Sequence, residues 1–272
     1  MLDRGRVELA HAPEIAWAPL PATGWPVGPE ARVLSIDPAD GALTCTLRLP
    51  AGYRRPLGHL TAATDVFVLS GSLRSGGDVR GLGWYEHRPA GATQQPWTVD
   101  EGCELLFAAR TRRPDFLPEP GPLGATAPGV VGRDTETEPW TGSPIPGPAP
   151  GLVQTAPGLV HKELRADPVS GERLWLSGVI PDWDYPKLEW HEVVEEIFCV
   201  GGDIHLGNAG TMTRGSYLWR PPYVTHGPFH STAGCLLFAW VSGTLVNHLV
   251  DDPSATPEEN RRAGARAAEG GS

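Results

Sequence analysis

Two stretches of this chain, 131 to 132 residues apart, follow one template. TDVFVLSGSL (from Thr64) and GWYEHRPAGATQQPWTVDEGC (from Gly83) return as EEIFCVGGDI (from Glu195) and GSYLWRPPYVTHGPFHSTAGC (from Gly215). Self-similarity at a fixed offset constrains architecture more tightly than residue propensity does, because each copy must close its core in the same way. In the longer pair Gly83, Tyr85, Arg88, Pro89, Pro96, Gly102 and Cys103 match Gly215, Tyr217, Arg220, Pro221, Pro228, Gly234 and Cys235 without a gap, and seven identities in 21 positions lie far above chance. Phe67 and Gly71 pair with Phe198 and Gly202, and the turn DPADG (Asp37 to Gly41) pairs with DPVSG (Asp167 to Gly171).

With 272 residues, there is room for two domains of about 130 residues, each able to bury its own core. The 29 prolines and 34 glycines are scattered through short apolar segments rich in Val, Leu, Phe and Trp, which implies short strands with frequent turns. Strands are expected through ARVLSI, ALTCTLRLP, DVFVLSGSL, GWYEHRP and CELLFAAR, and again through LVHKELRADP, ERLWLSGVIP, LEWHEVVEEIFCVGG, MTRGSYLWRPP and CLLFAWVSGTLVNHLV. The expected organisation is a first domain over 1–113, a Pro/Gly-rich connector over 114–157, a second domain over 158–252 and a tail over 253–272 that is disordered or a frayed helix.

Net charge is −10, with no basic cluster longer than Arg54-Arg55 or Arg261-Arg262, so nucleic acid and anionic membranes are disfavoured as partners. No run of 18 apolar residues exists, and MLDRGRVELA lacks the apolar centre of a signal peptide; a soluble cytoplasmic protein is expected. Cys45, Cys103, Cys199 and Cys235 form no CxxC pair and read as small buried apolar residues.

Chemistry concentrates in Leu188 to Phe198 (LEWHEVVEEIF). The two-residue period of a strand would put Glu189, His191 and Glu195 on one face, and His226, at the end of the turn RPPYVTH, could meet them from a neighbouring strand. Two carboxylates and two imidazoles without a thiolate suit Fe(II), Mn(II) or Ni(II) at six coordination, with two positions left for water or substrate. Without Glu189, the remaining three make the two-histidine, one-carboxylate set of non-haem iron oxygenases, and Zn(II) with a bound water is a further option. A carboxylate-rich strand face can also be merely solvated; against that, EEIFCV is apolar on its alternate face, and isolated buried carboxylates are costly without a cation.

The spacing His191-x3-Glu195-x6-Gly202 followed by Gly215-x5-Pro221-x4-His226 resembles the two motifs of the cupin superfamily, G-x5-H-x-H-x3-4-E-x6-G and G-x5-P-x-G-x2-H-x3-N. The chain is thereby similar to a bicupin, and segments such as YEHRPAGAT and SYLWRPPYVTHGPF resemble cupins of the anti-sigma-factor and acetylacetone-dioxygenase types. The resemblance implies an all-β fold of two tandem double-stranded β-helix (jelly-roll) barrels. It carries His191, Glu195 and His226 over as metal ligands, with Glu189 standing where the first motif histidine usually sits. Tyr223 replaces the second-motif glycine and His230 the terminal asparagine. In the first copy Leu57, His59, Thr64 and Gln94 take the four ligand positions, a set too weak to hold a divalent ion, with Asp65 a substitute if the register slips by one. That barrel reads as a structural or dimer-forming partner, and a homodimer is expected.

Tyr217, Trp219, Tyr223 and Phe229, with Trp190 and Trp240 near them in sequence, would line the mouth of the second barrel and suit a planar or apolar small molecule. His230, four residues beyond His226 on an extended chain, would face the same way and serve as an acid or base. Three functions fit. The first is a mononuclear Fe(II) dioxygenase acting on a small organic molecule. The second is a redox-neutral lyase, isomerase or cyclase whose ion acts as a Lewis acid. The third is a non-catalytic ligand-binding or sensing bicupin, which is weakened by the lack of a recognisable amphipathic helix.

Overall fold

A computed structural model describes residues 4–146 and 153–270. The chain divides into two compact units, Met1–Arg4 with His11–Glu138, and Gly5–Ala10 with Pro139–Ser272. Its first strand, β1 (Val7–His11), lies largely in the second unit.

The first unit is built from β2 (Ala18–Pro19), β3 (Glu30–Ile36), β4 (Leu43–Leu49), β5 (Arg54–Arg55), β6 (His59–Leu60), β7 (Thr64–Gly71), β8 (Leu73–Ser75), β9 (Asp78–Arg80), β10 (Trp84–Arg88), β11 (Trp97–Thr98), β12 (Cys103–Ala109), β13 (Phe116–Leu117) and β14 (Val131–Asp134). A seven-stranded sheet runs β14-β10-β7-β12-β4-β3-β2, and a four-stranded sheet runs β5-β11-β8-β9. Every pairing given within these two sheets is antiparallel. Between them lie Leu47, Leu49, Val68, Leu105, Phe107 and Phe116, all nearly inaccessible to water. Each such side chain contributes about 1.5 to 3 kcal/mol of hydrophobic stabilisation.

The second unit repeats the plan with β15 (Thr141–Pro146), β16 (Val153–Ala166), β17 (Arg173–Val179), β18 (Trp183–Tyr185), β19 (Leu188–Trp190), β20 (Glu195–Leu206), β21 (Thr211–Thr213), β22 (Ser216–Arg220), β23 (Phe229–Ser231), β24 (Cys235–Val241) and β25 (His248–Val250). Its main sheet runs β1-β22-β20-β24-β17-β16-β15. The same strands thus follow in the same order, with β1 beside β22 where the first unit has β14 beside β10. β17 alternates buried and half-buried residues along its whole length, as a strand with one face on a core must. Leu218, Leu237, Cys199, Met212 and Leu206 form the interior.

The conserved spacing of the repeat has a steric cause at Gly71 and Gly202. Both have φ near +70° (70° and 76°), and a side chain there would begin 2.1 Å and 1.9 Å from the carbonyl oxygens of Gly102 and Gly234. Only glycine fits either close approach. The matching DPADG and DPVSG turns are held alike, with the amides of Ala39 and Val169 donating to the Asp37 and Asp167 side chains at 2.8 Å.

Two expectations need correction. The stretch 114–157 contributes strands to both units: β13 pairs with β6, β14 with β10, and β15 with β16. Its prolines and glycines suit the outer strands β14 and β15, since an edge strand leaves one row of backbone groups unpaired; residues 147–152 of that stretch lie outside the described residues. The tail carries a helix, α1 (Pro257–Gly270). Thr256 and Glu259 form a reciprocal capping box, each side chain accepting from the other's backbone amide. Asn260, 3% exposed, donates to the Tyr223 carbonyl and to Thr225 Oγ1, both at 2.8 Å. These polar contacts anchor the start of the helix, and Gly264 lets its next turn lie against the Trp190 ring. All four cysteines are free and buried, and among the described residues no helix is long and apolar enough to cross a membrane.

Candidate metal centre

Glu189 on β19 and His226 exchange backbone hydrogen bonds, each amide donating to the other's carbonyl at 2.9 Å. The chain then leaves the sheet. Residues 191–194 form a bend, held by Tyr223 N donating to the His191 carbonyl (2.8 Å) and by a pair of bonds between Val194 and Ser242. β20 begins at Glu195. Glu189, His191 and Glu195 therefore do not share one strand face; the bend, not the two-residue period, brings them together.

The geometry fixes which nitrogens face inward. His191 Nδ1 lies 2.8 Å from the Val193 carbonyl and His226 Nδ1 lies 2.8 Å from that of Val224. A carbonyl only accepts, so each Nδ1 carries the hydrogen and each neutral ring presents the Nε2 lone pair. His191 Nε2 is buried without a hydrogen-bond partner. One ligand atom from each of His191, Glu195 and His226 lies within 4.8 Å of the others. Glu189 Oε1 stands 3.8 Å from His226 Nε2, and Glu195 Oε2 stands 3.7 Å from His191 Nε2. Both separations exceed direct hydrogen bonds; the group whose ligand atoms could surround one cation is His191, Glu195 and His226, and Glu189 stands beside it.

Burial and charge pull the four groups apart in acidity. Burial alone would raise Glu195, but His191 and the Arg220 guanidinium outweigh it and hold the carboxyl far below the usual range. Burial, with the Glu195 charge beside it, lifts Glu189 to about 7. Burial and then Arg220 push His226 down to about 3, so this ring is neutral at ordinary pH. For His191 burial opposes protonation, yet the Glu195 carboxylate prevails and the ring lies above its ordinary value.

Arg220, 1% exposed, donates to Glu195 Oε2 at 2.7 Å and to Glu8 Oε1 on β1 at 3.3 Å. Tyr185 on β18 donates its hydroxyl to Glu189 Oε2 at 3.2 Å. Neither was singled out from sequence for the site. Arg220 had a signal, being identical to Arg88 in the first copy; Tyr185 had none.

The structure places the remaining expected residues unevenly. Phe229 is at the site, its ring centroid 5.9 Å from that of His226 and 6.0 Å from Tyr185. Tyr217 and Trp219 are not. On β22 the inward residues are Leu218 and Arg220, so both aromatics point to the opposite face, where Tyr217 donates to Glu196 at 2.8 Å and Trp219 stacks on Trp240. Tyr223 packs between Trp190 and Arg261 of α1. His230 also faces away. It is bonded to Asp184 at 2.8 Å with its side chain 43% exposed, because the turn before β23 breaks the alternation that would have aligned it with His226.

In the first unit the counterpart of the Glu189–His226 bridge is Gly58–Gln94, likewise a pair of reciprocal backbone bonds. Gly58 and Leu60, rather than Leu57 and His59, thus stand where Glu189 and His191 stand. Leu60 belongs to the apolar core, and His59 Nδ1 is at 3.0 Å from the Glu119 carbonyl. Asp65 is engaged by Tyr85, His87 and Arg110. No inward imidazole remains there.

The model of a family described as "Domain of unknown function (DUF4437)" matches residues 8–248. No curated protein sequence matches the chain. Among solved structures, a "putative dioxygenase" from Nostoc punctiforme superposes with a TM-score of 0.78 at 23% identity, covering 92% of this chain and 88% of that one. An oxalate decarboxylase from Lactobacillus farciminis, crystallised as its formate complex, gives 0.57 at 12% identity over 93% and 95% of the two chains. Protein YlbA from E. coli gives 0.58 at 16% over 86% and 89%. The fold is that of a cupin with two tandem barrels.

Proposed function

The chain belongs to the DUF4437 family, and from that premise we propose that its second barrel is a metal-dependent active centre for a small organic molecule, in the first instance a mononuclear Fe(II) dioxygenase. The observation that carries this reading is the convergence of two backbone-oriented Nε2 lone pairs and the Glu195 carboxylate within 4.8 Å, with His191 Nε2 buried and unpartnered. Those three residues would hold the ion, with Glu189 as a fourth donor. Iron bound there would supply Lewis acidity and a redox partner for O2. The likeness to the Nostoc punctiforme protein supports the oxygenase choice.

The protein's own groups do the rest. Phe229 and Tyr185 wall the approach. Arg220 keeps Glu195 ionised and aimed. Burial and the Glu195 charge lift Glu189 to about 7 in the metal-free centre, so where it does not coordinate the ion it can hold a proton at its carboxylate near neutral pH and exchange it with a substrate oxygen. That last feature also favours a second reading, a redox-neutral lyase or isomerase needing an internal acid.

Anaerobic loading with Fe(II), followed by elemental analysis and an oxygen electrode, tests both. The expected result is one iron per chain and O2 uptake coupled to loss of an enolisable or hydroxylated substrate. Turnover under strict anaerobiosis, or with Zn(II) in place of iron, moves the assignment to the redox-neutral class. Failure to retain any transition metal removes both.

A further inference from the structure

The interior of the first barrel holds a cation to which no carboxylate is bonded among the described residues. Arg55 on β5 is 1% exposed. Its Nη2 donates to Gln94 Oε1 at 2.7 Å, while Nε and Nη1 have no hydrogen-bond partner among the described residues. Gln94 is the residue that stands where His226 stands in the second barrel, so the guanidinium lies beside the position of a lost metal ligand. Trp97 covers it at 3.6 Å from ring centroid to guanidinium carbon, with Phe116 at 5.1 Å and Trp25 at 5.3 Å.

Charge does not balance locally. The charged groups that act on Arg55 are Arg80, Arg88 and Glu86 besides Tyr53. Glu86 is shared by Arg80 and Arg88, so it is the one buried carboxylate among three guanidinium groups; the exposed Asp78 acts on Arg80 from the surface. Burial drives the Arg55 guanidinium down to about 9, far below its ordinary value. A buried cation without a counter-charge is costly, and aromatic faces return only part of that cost.

Other donors nearby are idle too. Ser75, Trp97 and Arg55 lie in one row across β8, β11 and β5, so their side chains share a face. Ser75 Oγ and Trp97 Nε1 have no partner, nor does the buried Tyr53 hydroxyl. Surplus positive charge, unused N–H and O–H groups and flat aromatic walls together describe a receptor for a planar anion.

We propose that the first barrel binds a small monocarboxylate at Arg55, with the Tyr53 and Ser75 hydroxyls as auxiliary donors. The anion replaces an interaction the second barrel makes the other way round, with protein carboxylates around a soluble cation.

The test uses the full-length, metal-free protein titrated with sodium acetate at constant ionic strength, read by calorimetry and by 13C-acetate NMR. Saturable binding of one acetate per chain is expected, weakened at least tenfold in Arg55→Met and partly retained in Arg55→Lys. Arg55→Met should fold, because an apolar chain of similar length relieves a buried charge. His226→Ala should bind acetate as the wild type does, since the metal centre is not involved. Absence of saturable binding, equal binding by Arg55→Met, loss in His226→Ala, or chloride matching acetate would each overturn the proposal.

Discussion

The two barrels solve the same electrostatic problem with opposite signs. At the bridge that pairs Gly58 with Gln94 the first barrel brings in a guanidinium, tethered to its own chain. At the matching bridge of Glu189 with His226 the second barrel assembles carboxylates and imidazole nitrogens, and a cation proposed to balance them would have to arrive from solution. Both keep the arginine that ends the matching strands β10 and β22, Arg88 and Arg220, but assign it differently. Arg88 shares Glu86 on its own strand, whereas Arg220 reaches across to Glu195 on β20 and to Glu8 on β1. A duplicated scaffold can thus preserve its strand order and glycine turns while the polar interior is rewritten.

The comparison is broken most severely at Arg220. Arg220→Met leaves Glu195 and Glu8 buried or half-buried without their guanidinium, and a loss of about 3 to 5 kcal/mol in chemical denaturation is expected. The loss should shrink when divalent metal is added, since the ion restores positive charge at Glu195. Next is His226→Ala, which should weaken transition-metal binding on the order of a hundredfold while leaving the fold intact, measured by competition with a chromophoric chelator. His59→Ala in the first barrel should leave metal binding unchanged, because that ring faces the Glu119 carbonyl.

A pH series sharpens the contrast further. Glu189 in the folded, metal-free protein holds its proton up to about pH 7, whereas the unfolded chain releases it near the ordinary 4.5. Folded protein then binds more protons between those limits, so the Glu189 contribution is fully present below about pH 4.5 and is lost as pH rises through 7. Thermal melts of metal-free wild type should fall across that window by the equivalent of roughly 1 to 3 kcal/mol relative to Glu189→Gln. The smallest effect is expected outside both barrels' interiors: Thr256→Ala removes the capping box of α1 and should cost about 1 kcal/mol, seen as faster amide exchange in residues 257–260.

The repeat carried most of the architecture, because each paired glycine, turn and cysteine marks a place where the backbone has little alternative. Gly71 and Gly202 were legible for that reason. The grouping of His191, Glu195 and His226 was also legible, though through a family spacing rather than the strand period, which the bend at 191–194 interrupts. Side-chain direction was the weak point. Tyr217 and Trp219 were assigned to the site by proximity in sequence, and the alternation of β22 sends both to the other face; His230 was assigned by an even spacing from His226 that the turn before β23 interrupts. His59 failed through a one-residue slip that only the Gly58–Gln94 bridge reveals. Arg55 left no trace in the motifs, since a buried cation on a two-residue strand reads in sequence as a solvated surface arginine.

β1 has a temporal meaning as well as a spatial one. Its residues precede every strand of the first barrel, yet its hydrogen-bonding partner β22 starts at Ser216, so at ribosomal speed this strand waits on the order of 10 to 40 seconds for its sheet. A cut between the repeats would therefore not yield two self-sufficient halves. The C-terminal piece would lack Glu8 behind Arg220 and expose the backbone edge of β22, an open invitation to pair with another chain.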